Sequence, residues 1–124
     1  MSDKKGKKLT YAMTVAGAER HVNEAGKNFD RAKMLIQMYS CSEYELKYRD
    51  NAISSLAEYM TNMKFYEEFM QSQLLSDNKM KDKKTGQETI VVPVEDFTII
   101  NSYLVTTAAC ENDLEALGIS MRLH

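Results

Sequence analysis

The sequence predicts an all-α fold: three long helices packed as a bundle, or as an elongated hairpin with a third helix beside it. Apolar residues recur at steps of three and four from Val15 to Tyr39 without a miss. A second run with the same period extends from Ile53 to Leu74, and a third lies between a lone proline, Pro93, and Gly118. The connections are short and no unit repeats at 20 to 50 residues, which argues against a solenoid.

The first helix carries the clearest seam: Val15, Ala18, Val22, Ala25, Phe29, Ala32, Ile36 and Tyr39. About 30 residues at 1.5 Å each make it roughly 45 Å long. Small alanines at alternate seam positions let a partner backbone approach closely, so the seam predicts tight antiparallel packing. Gly26 interrupts the run at a cost of ~1 kcal/mol relative to alanine. The apolar register continues through it, which favours one helix, with Gly26 as the place for a bend.

A turn near Ser40 to Ser42 precedes the second helix. Ser42 and Glu45 have capping-box spacing, and Asp50 is another N-cap candidate, so the start falls near 43 or near 51. Its expected seam is Ile53, Leu56, Met60, Met63, Glu67, Met70 and Leu74, with Tyr59, Phe65, Tyr66 and Phe69 on another face. More than half the circumference is then apolar. Either the helix is central in the domain, or one face meets another subunit.

Residues 76–89 lose all periodicity, and Thr85-Gly86 marks a turn. Ile90-Val91-Val92 reads as extended, giving a two-stranded flap with the residues before Gly86 or a bare loop. Pro93 suits the first turn of a helix over about 94–117, with Glu95 and Asp96 at its positive end. Its inner face is expected from Phe97, Ile100, Leu104, Ala108 and Leu114, helped by Ile99 and Tyr103. Gly118 fits the left-handed C′ position, with Ile119 folding back on the last turn in a Schellman arrangement. The domain reading is a basic tail over 1–8, one helical domain over 9–118 containing the loop 76–92, and a short free tail over 119–124.

The chain has 124 residues, 44% hydrophobic and 27% charged, which is ordinary for one globular domain. No run is long enough to cross a membrane, and no apolar stretch after the basic start resembles a signal peptide, so a cytoplasmic place is expected. Cys41 and Cys110 fit no short metal spacing and read as reduced thiols. Net charge is −2, which argues against a uniformly basic nucleic-acid binder. Yet Lys4, Lys5, Lys7 and Lys8 crowd one stretch and Lys79, Lys81, Lys83 and Lys84 another, together half of the sixteen basic residues. Such patches attract phosphate, or merely keep a tail and a loop solvated.

No nucleotide-binding glycine loop, zinc-protease motif or nucleophile elbow is present. His21 and His124 form no recognisable metal pair, and Glu111, Asp113 and Glu115 read as a solvated acidic turn. No catalytic residue, metal or cofactor is expected. Methionines and tyrosines on the helical faces suit an adaptable core or a protein-binding surface. The expectation is a non-catalytic assembly component.

The end Leu117-Gly118-Ile119-Ser120-Met121-Arg122 resembles the Leu-Gly-Leu-Thr/Ser-Pro-x-x-Arg signature that closes small subunits of bacteriophage terminases. Arg49-Asp50 followed by Ile53, Leu56, Ala57 and Tyr59 looks like that family's early helix. Val92-Pro93 stands where the family has Asn-Pro. The similarity spans about residues 30 to 122. Met121 replaces the usual proline, Arg122 comes early, and Val92 replaces the asparagine. The resemblance implies a homo-oligomeric DNA-packaging subunit, in a bacterial host cell, that serves a large ATPase-nuclease subunit. DNA contacts would come from the two lysine stretches, through phosphates alone. Assembly contacts would come from Tyr59, Phe65, Tyr66, Phe69, Ile119 and Arg122. The competing expectations are a small helical inhibitor that binds a protein target, such as an anti-defence protein, and a helical subunit of a larger nucleoprotein complex.

Overall fold

The computed structural model describes residues 10–41 and 46–121. Along the chain run β1 (Thr10–Thr14), α1 (Val15–Ser40), α2 (Leu46–Leu74), β2 (Lys79–Lys81), β3 (Glu88–Pro93) and α3 (Val94–Ala116). The architecture is largely α, with three helices and one small antiparallel sheet in the order β1-β3-β2. The sheet corrects the all-α expectation. Of the two readings for residues 76–92, the flap is the one present. Strand β1 is not expected from the sequence. Five residues carry little periodic signal, and the partner that makes them a strand lies some eighty positions away: Thr10 pairs with Pro93 and Met13 with Ile90.

Helix α1 starts where the side chain of Thr14 accepts a 3.0 Å hydrogen bond from the amide of Gly17, an N-cap that satisfies one orphan donor. It runs unbroken through Gly26. Helix α2 lies antiparallel to it, since Tyr39 meets Tyr48 while His21 meets Tyr66. The alanine seam behaves as expected, with Ala18, Ala25 and Ala32 essentially inaccessible. Helix α2 begins at Leu46; Asp50 therefore lies inside it, and the Ser42–Glu45 capping box falls outside the described residues.

The buried stripe of α2 is Ala52, Leu56, Tyr59, Met63, Tyr66, Met70 and Gln73, none more than 6% exposed. This corrects the expected seam at every second position. Met60, Glu67 and Leu74 are turned partly outward, and Tyr59 and Tyr66 face in. The alanine stripe opposite explains the choice, because small residues on one helix leave room for large rings on the other. Helix α3 then packs antiparallel along α2, with Gln73 Nε2 donating to Asp96 at 3.2 Å near one end and Cys110 meeting Glu58 farther along. Helix α2 is thus the central helix.

In α3 the inward residues are Ile100, Tyr103, Thr107, Cys110 and Leu114. Leu104, Ile99 and Ala108, expected inside, are exposed. Residues 97–110 contain no charge, so nothing in hydropathy marks which side turns outward. The helix closes as a Schellman motif: Ile119 N donates to Leu114 O at 2.8 Å, Gly118 N to Glu115 O at 2.9 Å, and Gly118 takes φ +82°. As far as residue 121, the segment that follows the helix is held against the fold. Ile119 and Met121 are each 4% exposed, and Arg31 Nη2 donates to Ser120 O at 2.8 Å. Tyr48 donates its hydroxyl to Leu117 O. Ile119 and Met121 belong to the core.

Candidate functional site

The lysines of the later stretch sit on a hairpin. Lys79 pairs with Ile90, Met80 with Thr89 and Lys81 with Glu88. The tip is closed by Asp82 N to Gln87 O at 2.9 Å and Gly86 N to Asp82 O at 2.7 Å, with Gly86 at φ +72°. Asp82 also accepts from Lys84 N at 2.8 Å, so this acid is engaged by the turn. Lys79, Lys81, Lys83 and Lys84 are all exposed, and none forms an ion pair among the described residues. Lys4, Lys5, Lys7, Lys8 and Arg122 lie outside the described residues. Strand β1, into which the first lysine stretch leads, shares its sheet with the hairpin through β3.

The expected assembly residues divide. Tyr59, Tyr66 and Ile119 are core residues, which corrects their assignment to a partner surface. A Tyr ring that fills the gap above an alanine stripe, and an isoleucine that closes a helix end, are occupied by the fold itself. Phe65 remains 48% exposed and Phe69 is half-buried; both meet Tyr103, at 6.1 and 6.5 Å between ring centres. These aromatics leave an edge of the α2–α3 contact open.

A polar cluster spans the same contact. The Cys110 thiol donates to Glu58 Oε1 at 3.2 Å. Burial pushes that thiol up to about 12, helped by the hydrogen bond to Glu58 and by the charges of Glu58, Asp113 and Glu111. Tyr59 is raised as well, by burial first and then by Glu111 and Cys110. Tyr66, which shares a 3.2 Å hydrogen bond with His21 Nδ1, is raised by burial and then by Glu24. These are groups held in their neutral forms, the opposite of an activated nucleophile.

Between α1 and α3 the floor is α2, and a cleft of about 190 Å³ opens there. Its walls are His21, Glu24, Ala25 and Asn28 from α1 and Leu104, Thr107 and Glu111 from α3, over Met63 and Tyr66. Sequence reasoning takes the two separately: His21 as a solvated or partly packed histidine, Glu111 as part of a solvated acidic turn. The signal in the sequence is the polar stripe His21, Glu24, Asn28 at helical spacing, but only the packing shows that it faces Glu111 across the cleft. No group of three metal-ligating side chains occurs among the described residues, and no helix there is long and apolar enough to cross a membrane. No family model matches the chain, and no significant match is found among curated proteins or solved structures.

Proposed function

We propose that this chain is a non-catalytic helical assembly subunit that holds DNA by its phosphates, in the manner of the terminase small subunits its sequence resembles, and presents it to a large ATPase-nuclease subunit. The observation that carries the reading is the hairpin: four lysines on a two-stranded projection, exposed and without ion pairs among the described residues. Such a hairpin reads backbone charge and no base sequence. The neutral state of Cys110 and the buried tyrosines fits a protein without chemistry of its own.

The test is binding of a short DNA duplex at several salt concentrations, for the parent chain and for a K79A/K81A/K83A/K84A variant. Removing one lysine–phosphate interaction should lower the slope of log K against log salt by about 0.9. Weaker binding with a shallower slope is expected. Unchanged slope and affinity would remove the hairpin from the DNA interface.

A second reading, a helical module that binds a protein target, is favoured by a different observation. The outward side of α3 has no charge from 97 to 110, and Val105 on it is 64% exposed. Light scattering separates the two: a large assembly of identical subunits supports the first reading, and a monomer with one protein target supports the second.

A further inference from the structure

The sheet has two edges, and they are built differently. Strand β2, at one edge, is three residues long and carries Lys79 and Lys81, a combination that discourages another strand from adding to it. Strand β1, at the other, reads Thr-Tyr-Ala-Met-Thr, without charge, proline or glycine. Its five residues pair with β3 in unbroken register, with no bulge to turn the edge away. No second strand pairs with β1 among the described residues. Tyr11 is 42% exposed, and Ala12 is exposed too. The strand is anchored from behind, since the Tyr11 ring stacks on Phe97 at 3.9 Å between centres and Met13 packs against the core.

Backbone direction identifies the free groups. Val91 N donates to Asn78 O at 2.8 Å, so odd-numbered residues of β3 turn toward β2, and Ile90 and Val92 turn toward β1. Their partners are Met13 and Tyr11, which turn back toward β3. The N–H and C=O of Ala12, between them, therefore point away from the sheet. An antiparallel strand laid along this edge meets both groups of Ala12 at once.

We propose that the outer edge of β1 pairs with β1 of a second copy of this chain, antiparallel, about a two-fold axis at Ala12. Ala12 then exchanges two hydrogen bonds with the partner's Ala12, and Tyr11 stands opposite the partner's Met13. The occupant is a second copy because the strand matches itself: an aromatic ring meets a thioether, small alanines meet at the axis, and no like charges are opposed. An uncharged edge offers nothing to attract a strongly charged segment of another protein. Antiparallel pairing also sends the lysine stretches that precede the two strands to opposite ends, where parallel pairing would set them side by side. The result is one six-stranded sheet, β2-β3-β1-β1-β3-β2, with a lysine hairpin at each margin, about 24 Å apart at about 4.8 Å per strand. The contact closes on itself, so this edge joins two copies and no more. It does not depend on the hairpins binding DNA.

The experiment is sedimentation equilibrium of the full chain from about 1 µM to about 1 mM, since a strand edge alone is a small contact of the weak class. The parent should gain mass with concentration. Ala12→Lys sets two like charges opposite each other at the axis and should remove that gain, with circular dichroism and melting unchanged because position 12 is exposed. A parent that stays monomeric overturns the proposal, and so does an assembly of any size whose mass is the same in A12K. A second measurement decides the matter should A12K fail to fold. Under mild oxidation C41S/A12C should form a covalent dimer, because residues paired across such an axis have Cα atoms about 5.5 Å apart, within disulfide reach. C41S/M80C, with its thiol on the other edge, should stay monomeric. No dimer from C41S/A12C, or equal dimer from both variants, sinks the idea: the first shows that the Ala12 positions do not meet, the second that any exposed thiol crosslinks.

Discussion

Cys110 shows how far a single residue's chemistry depends on its neighbours. In the sequence it is one of two thiols with no partner spacing; in the fold it is buried, hydrogen-bonded to Glu58 and flanked by Glu111 and Asp113. A thiol pushed from 9 to about 12 contributes stability that is fully present below about pH 9 and lost as pH rises toward about 12, because the unfolded chain releases its proton first. Tyr59 and Tyr66, raised above their ordinary 10, add the same sign at higher pH. Melting temperature should therefore fall on the alkaline side, and Cys110→Ala should make that fall shallower. An identical alkaline profile in the variant would show that Cys110 is not the group responsible. In the native chain a thiol reagent near neutral pH should label the exposed Cys41 and spare Cys110.

The helices show which patterns survive the passage from sequence to fold. In α1 the apolar seam is a single stripe, and Ala18, Ala25 and Ala32 along it are buried as the spacing requires. In α2 two stripes one residue apart compete, so periodicity leaves the choice between Tyr59 and Met60, or Tyr66 and Glu67, to the helix opposite. The alanines make that choice by leaving space for rings. Helix α3 lies at the far extreme, uncharged over 97–110 and thus without a readable face. The alanine seam carries a direct consequence. Ala25→Leu pushes three extra carbons into a site with 1% exposure and should cost about 1–3 kcal/mol, read from the midpoint of urea unfolding. A neutral result would mean that α1 and α2 are not closely packed at Ala25.

At the scale of the whole molecule, the segment 117–121 is a strap. Tyr48 from α2 and Arg31 from α1 each donate to a backbone carbonyl within it, and Ile119 and Met121 close the core beneath. Three helices are thereby tied at one end, while the sheet gathers β1 and the lysine hairpin at the other. Ile119→Ala should cost about 2–5 kcal/mol in the same urea measurement, far more than an exposed residue at a free end would. A loss within experimental error would show that the strap adds nothing to the core.

Residues alone specify the three helices, their order and the close of the last one, since these rest on local matters: a 3.6-residue period, a proline at one end and a glycine able to take positive φ at the other. The turn at Gly86 is legible for the same reason. Tertiary structure settles whatever needs a distant partner. Strand β1 exists because β3 pairs with it; the inward side of α2 is set by the alanines of α1; and Ile119 is core because Arg31 and Tyr48 hold its neighbours. The cleft between α1 and α3 is the clearest case. Glu24 and Glu111 stand eighty-seven positions apart, and only the packing of both helices on α2 puts them on facing walls.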